Sequence, residues 1–317
     1  MTSRLKQWAD IEGDGWEGLL LGNGASLTVS KRFSYRSLLQ KAPLSPDDSA
    51  MFQALDTTNF ETLLDALRIA RLVCAQAGHS DVDVQRRYRA IRRALINAVN
   101  AIHPNHANIP TATLKHIARG VREYEFVFTT NYDLLLYWAV MSIKASGFRD
   151  YFWGDGSTFD AADTDVTAGC TRILYLHGAL HLFRDDLGRT AKRAAEPAGI
   201  LRAVARSRIP LFVSEGTSRD KLRAIRRSDY LTFAHSAFAD CHVPIVVFGH
   251  SLSRQDAHLL APLNVRGRSV AVSIVRTSDR AVLLRKTEVR DLLPRATLVF
   301  FDAQSHPLGD RVLQTTP

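Results

Sequence analysis

The sequence predicts an α/β fold: a doubly wound, mostly parallel sheet with an inserted helical layer. Three observations predict it. Short apolar runs rich in β-formers recur at 18–22, 126–128, 173–176, 244–248, 270–275 and 297–301. Continuous runs of that length are how strands buried on both faces read. Through the last two-thirds of the chain they alternate with helical segments, the pattern of a mostly parallel sheet covered by helices. Polar residues follow several of the runs at once, at the carboxyl edge where such a sheet binds ligands.

The chain has 317 residues, 46% of them hydrophobic, enough for a substantial core in one large domain or two smaller ones. Charged residues make up 23%, and without a low-complexity tract the chain is expected to fold. The net charge of +9 favours anionic partners such as nucleotides or nucleic acid, and does not specify a fold. The amino terminus has no apolar signal region, and no apolar run approaches the roughly 20 residues needed to span a bilayer. Cys74, Cys170 and Cys241 are far apart and form neither a disulfide framework nor a Cys-x-x-Cys zinc pair. A cytoplasmic location is the simplest assignment.

The run at 18–22 is followed at once by Asn23-Gly24-Ala25-Ser26. Small residues after a strand let the backbone approach a phosphate beside a helix start. Leu27 stands where a dinucleotide fingerprint has its third glycine, so an ordinary glycine turn is the rival reading. Residues 42–57, with Pro43, Ser45 and Pro46, read as a polar connector. Thr58 and Glu61 have capping-box spacing and open a helix with Phe60, Leu64, Leu67 and Cys74 on its apolar face. A second helix carries Val84, Tyr88, Ile91, Leu95, Val99 and Ile102 at steps of three and four, ended by Pro104. Its other faces hold Arg86, Arg87, Arg89, Arg92 and Arg93, either a solvated face or a nucleic-acid contact. Residues 114–124 make a third helix, so that 43–124 forms a helical layer inserted in a single domain spanning 1–317.

The apolar run at 126–128 ends in Thr129-Thr130-Asn131-Tyr132-Asp133 before helical residues 134–140. Asp133 suits the first turn of that helix, and the whole turn reads equally as a well-capped helix start. Residues 150–169, with aspartates at 155, 160, 163 and 165, read as a solvated loop or a lid; their spacing is not that of a calcium loop. The strand 173–176 ends in His177-Gly178. A histidine there can be a general base or a packed core histidine held by a carbonyl. Residues 184–209 are basic and irregular, 210–214 resemble a strand, Glu215-Gly216 a turn, and 218–238 one helix bearing Lys221, Arg223, Arg226 and Arg227. Pro244 opens the best strand, followed by Gly249-His250-Ser251-Leu252, where Gly249 and Ser251 can face a ribose or phosphate. Ser253 and Asp256 have the spacing of a helix cap. The tail after Pro307 reads as loose.

Strand, Gly-Asn-Gly-Ala-Ser, helical layer, strand, Thr-Thr-Asn-Tyr-Asp, strand, His-Gly, strand, Gly-His-Ser-Leu: this order resembles the sirtuin-like (silent-information-regulator type) family of NAD-consuming domains. It looks like a bacterial branch related to anti-phage NAD hydrolases. The resemblance implies a Rossmann-like domain and an NAD+ nucleosidase, a hydrolase that acts as an anti-phage defence effector. Asn131, Asp133 and His177 would be catalytic, with His177 the base. Gly22, Gly24, Ala25, Ser26, Thr130, Gly249 and Ser251 would bind the cofactor. NAD would be the substrate, without a metal. The implied partners are NAD or ADP-ribose and a homo-oligomer or a defence-system protein, with no nucleic acid and no membrane. The four-cysteine zinc module of sirtuin deacylases is missing. So is their Gly-Ile-Pro-Asp-Phe-Arg run, where Val29-Ser-Lys-Arg-Phe33 stands instead. The first departure argues against deacylation, and the second leaves the nicotinamide side unassigned. The alternative is a non-enzymatic NAD or ADP-ribose sensor.

Overall fold

Apolar runs of four to six residues, too short to stand alone, become stable by pairing side by side and burying both faces. In the computed structural model, which describes residues 2–33, 38–58, 60–153, 157–184, 189–193, 210–213 and 218–315, they do so in one seven-stranded sheet. The chain enters it with β1 (Gly18–Leu21) and leaves through the helices α1 (Asn23–Val29), α2 (Leu38–Lys41), α3 (Pro46–Ala54), α4 (Phe60–Gln76), α5 (Val82–Ile102) and α6 (Thr111–Arg122). It returns as β2 (Phe126–Thr129), α7 (Leu135–Ser142), β3 (Phe148–Arg149) and β4 (Thr171–Tyr175). Then come β5 (Gly178–Arg184), β6 (Thr190–Lys192), β7 (Pro210–Phe212), α8 (Ser218–Ile225) and α9 (Asp229–Asp240). The last part is β8 (Ile245–Phe248), α10 (Ala257–Leu263), β9 (Ser269–Ile274), α11 (Asp279–Leu292) and β10 (Thr297–Asp302).

The sheet order is β10-β9-β8-β1-β2-β4-β3, and every pairing in it is parallel. This is the predicted α/β, Rossmann-like architecture. Leu19, Leu20, Val127, Phe128, Leu174, Ile245, Val246 and Val247 have no more than trace exposure. Each such side chain contributes about 1.5–3 kcal/mol by leaving water. From β1 the chain builds outward to β2 and β4, then crosses back to β8 on the other side, so the order reverses between β1 and β8. Registers level the strand ends: Leu21 pairs with Thr129 and with Phe248, and Thr129 with Tyr175. The residues after them, Gly22, Thr130, Leu176 and Gly249, therefore share one edge.

Several expectations are corrected. The connector at 42–57 contains α3: Ser45 accepts the Asp48 amide as N-cap, Pro46 holds the first position, and Asp47 and Asp48 fill the first turn. These are standard helix-start signals. The helix expected over 218–238 is two, broken at 226–228, where Ser228 caps α9 by accepting the Leu231 amide. The expected strand near 210 belongs to a second, antiparallel sheet of order β6-β5-β7. Its centre, β5, begins directly after His177 and was hidden within a segment read as the end of one strand. The tail is not loose up to residue 315. Leu308 and Leu313 are buried, and the Thr315 amide donates to the Val29 carbonyl at 2.9 Å. The loop aspartates 160, 163 and 165 are exposed, but its aromatics are pinned: Phe152 lies 4.6 Å from Tyr230 and Tyr151 4.9 Å from Phe233 between ring centres. The Thr58–Glu61 capping box, Asp155, Glu215-Gly216 and most of 184–209 lie outside the described residues or rest on them.

Candidate functional site

The glycines at the β1 and β8 ends are explained first by packing. A side chain on Gly24 would come within 2.7 Å of Gly249, and one on Gly249 within 2.3 Å of the Ala25 nitrogen. Gly249 also has φ +68°, a region costly for other residues. The two turns thus cross backbone to backbone, and the Gly24 amide donates to the Gly249 carbonyl at 2.8 Å. Leu252, fully buried, holds φ +44°. A non-glycine residue in that region is sparsely populated, and such strain clusters at ligand sites.

Above this crossing, where the strand order reverses, lies a cleft of about 520 Å³. Gly24, Thr130, His177, Gly249, Ser251 and Asp256 are among its lining. This is the position a doubly wound sheet offers a ligand. Five residues predicted from separate parts of the chain converge here: Gly24, Thr130, His177, Gly249 and Ser251. Gly22 sits beneath them at the close approach to His250.

His177 is buried, and its Nε2 lies 2.8 Å from the Nε2 of His258. One of the two rings donates the shared proton and the other accepts it. The far side of His258 is fixed by Ser218, whose Oγ accepts the His258 amide at 3.1 Å and lies 3.3 Å from Nδ1. Burial, then the adjacent His258 and Lys221, hold the His177 pKa well below the ordinary imidazole value. Burial likewise lowers His258 and His250 to about 4. All three rings are therefore neutral near pH 7. His177 is not a carbonyl-satisfied core histidine. The packed core histidine is His181: it is sealed behind Tyr137, with ring centres 4.5 Å apart, neither ring nitrogen is hydrogen-bonded among the described residues, and burial lowers its pKa to about 3.

Asp256 does not cap α10. Its carboxylate accepts from Lys221 Nζ at 2.6 Å and from Ser253 Oγ at 3.3 Å. Burial opposes its ionisation, but Lys221 outweighs burial and holds the carboxyl below its usual range. Lys221 is thus part of the cleft wall and not of a solvated basic face. His177, His258 and Asp256 bring three ligand atoms within 4.8 Å of one another, a set chemically suited to a divalent transition metal. The Lys221 ammonium already supplies the positive charge beside that carboxylate. His258, Lys221, Asp256 and Ser218 were missed as a group; the Asp256-x-His258 spacing was the only local signal.

Asn131 and Asp133 go elsewhere. They line a separate hollow of about 30 Å³ beneath α1, with Ala25 and Ser26. Asn131 Nδ2 donates to the Gly22 carbonyl and to Ser26 Oγ, each at 3.1 Å, while its Oδ1 is buried without a partner. Asp133 accepts from Ser26 Oγ at 2.7 Å and from the Leu135 amide at 2.9 Å, so it caps α7 and ties it to α1. Burial raises its pKa to about 6, against those two hydrogen bonds.

The chain belongs to a family described as a domain of unknown function (DUF4917), whose model matches residues 19–308. No curated protein matches the chain. Among the described residues no helix is long and apolar enough to cross a membrane.

Proposed function

We propose that this member of the family is an NAD glycohydrolase that releases nicotinamide and ADP-ribose, with a role in anti-phage defence as part of the same proposal. The observation that carries the reading is a neutral, buried His177 on the wall of a cleft at the β1–β8 reversal. The cleft volume suits a dinucleotide-sized ligand. The close-packed Gly24 and Gly249 backbones form part of its lining.

In the reaction the C1′–N bond to nicotinamide breaks and its electron pair leaves with the ring, which departs neutral. A water oxygen bonds to C1′, and its proton passes to an imidazole nitrogen. His177 meets that requirement when its Nε2–H donates to His258 and its Nδ1 keeps the lone pair. Ser218 supports this tautomer by accepting from His258 Nδ1–H. General-base help of this kind is worth roughly a hundred- to ten-thousandfold. Purified protein incubated with NAD is expected to release nicotinamide, and His177→Ala to lose most of that rate. Equal rates for wild type, His177→Ala and Asn131→Ala would end the proposal.

One observation favours the alternative, a sensor that binds NAD or ADP-ribose without turnover. The Asn131 amide nitrogen is committed to Gly22 and Ser26 in a hollow apart from the cleft. That reading requires saturable binding by calorimetry, no nicotinamide release, and tolerance of His177→Ala.

A further inference from the structure

The five arginines of α5 fall into two groups. Arg86 pairs with Asp83 at 2.7 Å, and Arg87 with Asp47 and Asp48. Arg89, Arg92 and Arg93 have no acidic partner among the described residues. The unpaired three line a second hollow of about 520 Å³, together with Tyr88, Ile96 and Arg71 of α4. Arg71 is held by Asp81 at 3.1 Å.

The division follows the positions of the acidic neighbours, Asp83, Asp47 and Asp48. Positions 88, 89, 92, 93 and 96 recur at helical spacing and form one face. Arg89 to Arg93 spans about 6 Å of helix axis. Three arginines without an acidic partner among the described residues thus stand within a short stretch of helix, beside the buried apolar Ile96. Like charges crowded in a concavity repel one another, so the arrangement is stabilised by an anion. Guanidinium forks match phosphate oxygens bidentately. The hollow's volume is in the range of small-molecule pockets, and its concave form suits a compact ligand better than the cylinder of a duplex.

We infer that this hollow on α5 is a binding site for a triphosphate group, free or carried by a nucleotide, separate from the strand-end cleft. The two sites share no lining residue, and the inference does not depend on NAD hydrolysis.

The test is calorimetry on the full chain with ATP, inorganic tripolyphosphate and a 20-base-pair DNA duplex, all without magnesium. Wild type should bind ATP and tripolyphosphate saturably at one site, with affinity falling steeply as salt rises. Arg92→Gln combined with Arg93→Gln should weaken both by tenfold or more. Arg86→Gln, which removes an arginine paired with Asp83 and outside the lining of the hollow, should stay within twofold. ATP binding should survive His177→Ala. The inference is overturned by an absence of saturable binding in wild type, or by equal loss in Arg86→Gln. It is also overturned by tighter binding of the duplex than of ATP, or by ATP binding that is lost in His177→Ala and kept in the arginine variant.

Discussion

The two large hollows of this protein have the same volume, about 520 Å³ each, and opposite electrostatics. In the strand-end cleft every charge is answered: Lys221 by Asp256, while three histidines are kept neutral by burial. On α5, three arginines are left unanswered. Volume therefore says little about what a hollow is for. A compensated, partly dry wall suits chemistry on a bound molecule, where a fixed dipole or lone pair acts without reorganising. An uncompensated cationic face suits capture of an anion.

The largest effect expected to sharpen this contrast is on turnover. His177→Ala should lower nicotinamide release by roughly a hundred- to ten-thousandfold, while Arg86→Gln leaves it unchanged; a drop in both would erase the distinction. Next is the buried ion pair. Lys221→Met leaves Asp256, its side chain only 11% exposed, without its cation, and should cost about 3–5 kcal/mol in denaturant unfolding. Adding Asp256→Leu should recover part of that loss. The exposed Arg86–Asp83 pair should contribute no more than about 0.5 kcal/mol by the same measurement.

Gly249→Ala should destabilise the fold by about 1–3 kcal/mol through its φ of +68° alone, with the 2.3 Å approach to Ala25 adding to it. A neutral result would mean the two turns do not cross as closely as described. The smallest effect is an expected constancy. His258 and His250 have pKa values lowered to about 4 in the folded protein. Their neutral forms thus persist as pH falls from 7 to 5, and the rate per folded molecule should stay level across that interval. A decline of about threefold by pH 6, and of more than about tenfold by pH 5, would show that the general base titrates with the ordinary histidine value near 6.5.

Stability itself should move with pH. A histidine with a depressed folded pKa stabilises the fold fully above the unfolded value near 6.5, and loses that contribution as pH falls toward the folded value. His306 is packed against Trp8, Tyr124 and Phe248, and burial lowers its pKa to about 3. It alone should account for about 2 kcal/mol lost between pH 6.5 and 5, at 1.36 kcal/mol per unit. Unfolding curves for wild type and His306→Gln at the two pH values measure that difference.

The parallel sheet was legible because strands buried on both faces leave continuous apolar runs, as in Ile245–Phe248. The strand-edge motifs were legible for the same reason: once the runs are placed, Gly24, Thr130, His177 and Gly249 must follow them. Residue type and order along the chain thus determined the strands, the edge and which polar groups stand at it. Only the tertiary structure decided which of those groups face one another. Asn131 turned toward Gly22 and Ser26, Asp133 became a helix cap, and His177 met His258 across 81 positions of sequence. Lys221 joined Asp256 across 35, and the arginines of α5 were sorted into paired and unpaired by where Asp47, Asp48 and Asp83 lie. The reason is physical. Burial and periodicity act along one segment and are written in its composition, whereas a charge or hydrogen-bond partner is set by distance in space, which depends on how all the segments pack.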